Sequence, residues 1–127
     1  MTNYTLDHED TAEIKNLLLG RIIVSVHGDS LTLDNGTELR IIPNEGCGGC
    51  DNGHYQLDFL QQVNNVITNV TFNEELVDER PYDCPTIYSI YVYTDSMTTA
   101  IPLAEISGND GNGYYGTGYT INVTVEG

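Results

Sequence analysis

Cys47-Gly-Gly-Cys50 is the first pair of residues whose type and spacing could do chemistry. Two thiolates separated by two residues can hold one zinc ion, and the intervening glycines let the backbone wrap tightly around it. A structural zinc site needs two more ligands. His54 and Cys84 are the remaining donors of the right kind, and neither completes a second knuckle of familiar spacing. Cys47 and Cys50 are thus candidate zinc ligands, and no metal site is assigned. A redox role for CxxC needs a helix opening after a strand, and Asp51-Asn52-Gly53 does not open one. The bland alternative is a tight loop with two small side chains packed inward.

Three histidines are present: His8 in an N-terminal tail, His27 at a strand end and His54 in a loop. None stands at a spacing that pairs it with a nucleophile. The carboxylate pairs Glu74-Glu75 and Asp78-Glu79 fall in a charged stretch that reads as solvated loop. Glycine motifs that cradle phosphate require a helix N-terminus after the glycines, and no such helix follows here. No catalytic residue is assigned, and the expectation is a protein that is not an enzyme.

Two glycine-rich stretches, Asn44 to Gly53 and Gly108 to Gly118, are better suited to binding. Glycine lets backbone amides approach a ligand closely, and Asn and Asp supply short polar arms. Asn44, Asp51, Asn52 and Asn112 are such arms, while Tyr55, Tyr114 and Tyr115 offer flat rings that can stack on a base or close a pocket. Arg40 is the nearest cation along the chain. These eight residues form the expected ligand site. The competing reading makes the tyrosines plugs of a loop folded onto its own sheet.

The elements around these stretches alternate with period two. Asp10 to Leu19 is the exception: Ile14, Leu17 and Leu18 share one helical face, Asp10 or Thr11 can cap, and Gly20 stops the helix. Arg21 to His27, Ser30 to Asp34 and Thr37 to Ile42 form a meander, with Asn35-Gly36 as its hairpin turn. Tyr55 to Val63 is a short strand or helical turn. Asn65 to Phe72 alternates, placing Val66, Thr68, Val70 and Phe72 on one side. Glu74 to Cys84 reads as loop. Thr86 to Thr94 is apolar on both faces, as a central strand requires. Pro102 predicts an edge or a bulge within Thr99 to Ile106, and Tyr119 to Val125 is the last strand. The expected fold is mainly β, an antiparallel sheet forming a partly open barrel or sandwich, with one short N-terminal helix and one domain over residues 1–127.

Composition restricts the partners. The 127 residues include 19 acids against Lys15, Arg21, Arg40 and Arg80, a net charge of −15. Nucleic-acid and anionic-membrane surfaces need clustered cations, so neither is expected as a partner. The N-terminus is acidic and lacks an apolar signal region, and three cysteines make an odd number. Both features fit a reducing cytoplasm.

The segments PNEGCGGC and NGYYGTG, together with LLLGRIIVSV and LTLDNGTELR, resemble a family of small proteins of unknown function found mainly in phages of Actinobacteria. The resemblance implies a compact β-rich protein in the cytoplasm of an infected host cell and no established activity; a homo-oligomer is expected if the protein binds a small molecule. It suggests a phage accessory or counter-defence protein that sequesters a small host molecule such as a nucleotide signal. In that case Lys15, Arg21, Arg40 and Arg80 would have to converge on its phosphate. An acidic decoy that imitates DNA and inhibits a host protein is the alternative: fifteen charges match roughly 26 Å of duplex. A minor virion component is a third.

Overall fold

The computed structural model describes residues 2–43, 54–76, 85–94, 100–109 and 118–125. It contains nine strands and one helix among those residues: β1 (Thr2–Asp7), α1 (Thr11–Leu18), β2 (Ile23–His27), β3 (Ser30–Leu33), β4 (Glu38–Pro43), β5 (His54–Leu60), β6 (Ile67–Leu76), β7 (Pro85–Thr94), β8 (Ile101–Asn109) and β9 (Tyr119–Val125). Two antiparallel sheets result, one ordered β1-β9-β4-β3-β2 and the other β5-β8-β7-β6. Neither closes on itself. Their inner faces share one hydrophobic core, so the arrangement is sandwich-like and mainly β, as the alternation predicts.

The meander forms where the sequence places it. Gly28 and Gly36 take left-handed φ values of 63° and 88° in the two turns, and the Asn35 side chain accepts a hydrogen bond from Thr37 N–H at 3.1 Å. Leu31, Leu33, Leu39 and Ile41 point inward and are buried. The helix also forms, one residue shorter at each end than its apolar pattern suggests. Its expected cap does not: Asp10 turns its carboxylate back to accept from Asp7 N–H at 2.8 Å. The first-turn N–H groups of α1 are left without a side-chain cap.

The N-terminal residues are a strand rather than a tail. β1 pairs with β9 from Thr2↔Val125 to Asp7↔Thr120. Its burial pattern explains why the sequence conceals it: only Leu6 is enclosed, and Tyr4 remains 39% exposed. The period-two signal that marks a half-buried strand is almost absent.

Bulges account for the differences in the second sheet. A register shift between Ile67 and Asn69 reverses the side-chain parity of β6. Ile67 and Val70 therefore both face the core, and Val66 is exposed. The strand continues through Glu74 and Glu75 to Leu76, two carboxylates that the sequence assigns to loop. β7 is central, with Tyr88, Ile90 and Val92 inward, as its two apolar faces predict. Pro102 lies at a bulge and not on an edge, because β8 is flanked by β5 and β7. Tyr55 onward resolves to strand β5.

Candidate functional site

Both glycine-rich stretches are rooted at one end of the sandwich. Residues 44–53 lead from β4 in one sheet to β5 in the other, and 110–117 lead from β8 back to β9. The flanking residues are paired across strands: Pro43 with Tyr119, and His54 with Asn109. Residues 77–84 connect β6 to β7 at the same end, beside the Leu76↔Thr86 pair. Asn44, Cys47, Cys50, Asp51, Asn52, Asn112, Tyr114 and Tyr115 lie outside the described residues, as does Cys84.

Four aromatic side chains cover the core at this end. Tyr55 and Tyr88 rings are 5.7 Å apart, Tyr88 and Tyr119 5.8 Å, and His8 stands 5.1 Å from Tyr88 and 5.7 Å from Tyr119. Each strand contributes by simple alternation. Leu6 and His8 are successive inward positions opposite Ile121 and Tyr119, and His8 N–H donates to Tyr119 C=O at 3.1 Å. A tight turn from Asp7 to Asp10 then carries the chain into α1. His8 is thereby pinned between two elements instead of lying in a free tail.

The His8 side chain is nine-tenths buried. Its Nδ1 approaches Asp7 Oδ1 to 2.7 Å, but outside the angles of a hydrogen bond, and it has no other partner among the described residues. Tyr88 donates its hydroxyl to Glu74 Oε1 at 3.1 Å across the β6–β7 pair. Burial pushes the Tyr119 hydroxyl well above its ordinary value of 10.0, and the adjoining Tyr88 and Asp7 push it further. Tyr119 is therefore a neutral donor over the whole physiological range.

Beside these rings opens a cleft of about 270 Å³, lined by His8, Glu9, Thr11, Phe72, Glu74 and Tyr88 among others. Thr11 and Phe72 also line a shallower groove of about 480 Å³ between α1 and β6, where Lys15 and Val70 form the walls. The lining combines aromatic faces, carboxylate acceptors and one amine. No hydrogen bond joins His8 to Ser89 or Thr11, the two aliphatic hydroxyl side chains that line the cleft. The constellation suits recognition of a ring with polar edges.

Of the residues singled out from sequence, Tyr55 belongs to this aromatic group. Arg40 is elsewhere, on the outer face of its sheet with Nε 3.1 Å from Asp29 Oδ2. Arg21 faces Asp34 at 3.8 Å. Lys15, Arg21 and Arg40 thus do not converge. Among the described residues no group of three or more His, Cys, Asp and Glu is placed to hold a metal ion, and no helix is long and apolar enough to cross a membrane. His8 and Glu74, which the sequence assigns to a tail and a solvated loop, both line the cleft. The one available signal for His8 was its place two residues beyond Leu6.

No curated protein and no solved structure matches the chain. A family model, described as a domain of unknown function (DUF7448), matches residues 16–121. β1, His8 and the first turn of α1 precede the matched stretch; Tyr55, Glu74, Tyr88 and Tyr119 fall inside it. Since the match takes in most of the chain, the protein belongs to the DUF7448 family of domains of unknown function.

Proposed function

We propose that this protein binds and holds a small host molecule of the nucleotide-signal class, without transforming it, at the sandwich end where residues 44–53 and 110–117 are rooted. In biological terms this is the role of a phage accessory protein that acts against host defence inside the infected cell. The observation that carries the reading is the aromatic quartet of His8, Tyr55, Tyr88 and Tyr119, with a cleft opening directly beside it. A flat ring entering that cleft meets aromatic surface, and its polar edge meets Glu9 and Glu74. The carboxylates also limit what enters: a phosphate would be repelled there, so the base and not the phosphate occupies this end.

Thermal-shift measurement against a panel of nucleosides, nucleotides, cyclic nucleotides and cyclic dinucleotides tests the proposal. A ligand present at a hundredfold excess over its Kd stabilises the fold by about 2.7 kcal/mol. That raises Tm by several degrees in a chain of this length. A panel in which no compound moves Tm contradicts the proposal.

A further inference from the structure

Three basic side chains fall among the described residues of a chain carrying 19 acids. Two are neutralised on outer surfaces, Arg21 by Asp34 and Arg40 by Asp29. Lys15 forms no ion pair among the described residues, and it lines the groove beside the aromatic cleft. Thr11 and Lys15 stand one turn apart on the same face of α1, about 6 Å along the helix axis. Thr11 and Phe72 line both cavities, which therefore adjoin. The two cavities differ in charge: Glu9 and Glu74 line the one with His8 and Tyr88, and Lys15, without an ion pair among the described residues, lines the other.

We infer that these adjoining cavities form a two-part site for a nucleoside monophosphate whose base bears an exocyclic amine. The base lies against His8 and Tyr88 with its amine on Glu74, and the phosphate reaches Lys15. This inference rests on the binding role proposed above and adds the ligand's orientation. Glu74 Oε1 is engaged by the Tyr88 hydroxyl, which holds the carboxylate in place and leaves Oε2 to accept from the amine. Thr11 and Phe72, which line both cavities, stand where the ribose passes between base and phosphate. An organic cation alone would be attracted to the acidic end, but Lys15 gives it no reason to extend further. A free phosphate would favour Lys15 and gain nothing from the rings.

Calorimetric titration of the full chain with AMP, adenosine, CMP, UMP and inorganic phosphate tests the orientation. AMP is expected to bind about tenfold more tightly than adenosine, through one charge-assisted contact. CMP is expected to exceed UMP, which presents an oxygen where cytosine presents its amine. Lys15→Gln should remove the advantage of AMP over adenosine while adenosine binding is unchanged, and Lys15→Arg should retain it. Glu74→Gln, which still accepts from Tyr88, should abolish the preference for CMP over UMP. If nucleotides bind but Lys15→Gln and Glu74→Gln behave as the parent protein does, the orientation is overturned and the binding role stands. If AMP and CMP bind no better than inorganic phosphate, and no compound of the wider panel raises Tm, the binding role itself falls and the orientation with it.

Discussion

Gly118 and the His8 ring are in contact with no space for a side chain between them. A Cβ at position 118 would lie 2.8 Å from His8 Nδ1 and 2.9 Å from Cγ, and Gly118 has a φ of +72°. Both the left-handed backbone and the close approach require glycine. Gly118→Ala is expected to destabilise the fold by about 2–4 kcal/mol, the backbone strain plus displacement of the ring. Gly20→Ala and Gly28→Ala are matched controls: φ is also positive, at +77° and +63°, but nothing lies within 4 Å of the added Cβ. Each should lose only about 1–2 kcal/mol. Urea denaturation of the three variants measures the difference, and equal losses would remove His8 from its place over Gly118.

The Tyr88–Glu74 hydrogen bond joins the buried floor of the cleft to its carboxylate rim. Tyr88→Phe should cost about 1 kcal/mol, because a part-buried bond is lost while Glu74 regains water. In a double-mutant cycle with Glu74→Ala, the coupling energy should be about 0.5–1.5 kcal/mol. A coupling of zero would mean the two groups do not meet in solution.

Tyr119 predicts how the protein fails in alkali. It is 3% exposed, and its hydroxyl ionises at higher pH in the folded state than in the unfolded chain. A raised folded value contributes stability that is complete below pH 10 and is lost as the pH rises above it. One such group gives a slope of up to about 1.4 kcal/mol per pH unit above pH 10. Tyr119→Phe should flatten that part of the profile, measured by urea denaturation between pH 8 and 11. An unchanged slope would contradict the burial of this hydroxyl.

Strand β1 separates a fold-based account from a reading of the sequence alone. Leu6 is buried whereas Tyr4, on the same strand, is half-exposed. Leu6→Ala is expected to lose about 2–5 kcal/mol, and Tyr4→Ala about 1 kcal/mol or less. Thermal or chemical denaturation checks both. A free tail would give two variants indistinguishable from the parent.

What the sequence reveals follows from where its signals are local. Asn35-Gly36 defines its hairpin because two adjacent residues satisfy the turn by themselves. Ile87 to Tyr93 announces a central strand because both of its faces are apolar. β1 escapes notice because its partner, β9, is more than a hundred residues away and only Leu6 needs to be buried. The bulge at Ile67–Asn69 escapes for a related reason: nothing in the local residues says which one is skipped, yet skipping one reverses every later side chain. The site is divided in the same way. Tyr55 and the two glycine-rich stretches could be recognised by composition. Their common end of the sandwich depends on the pairs Pro43↔Tyr119 and His54↔Asn109, which no local spacing encodes. His8 and Glu74 join the site only once β1 and the far end of β6 exist as strands.

The most direct measurement is an NMR titration that follows the His8 ring protons and the Tyr119 backbone amide as AMP is added. The account predicts that these signals move together, in proportion to occupancy, with the Lys15 side chain, while Arg40 on the outer face stays still. Stationary His8 and Tyr119 signals at a saturating concentration of a compound that raises Tm would place its site elsewhere and contradict the account.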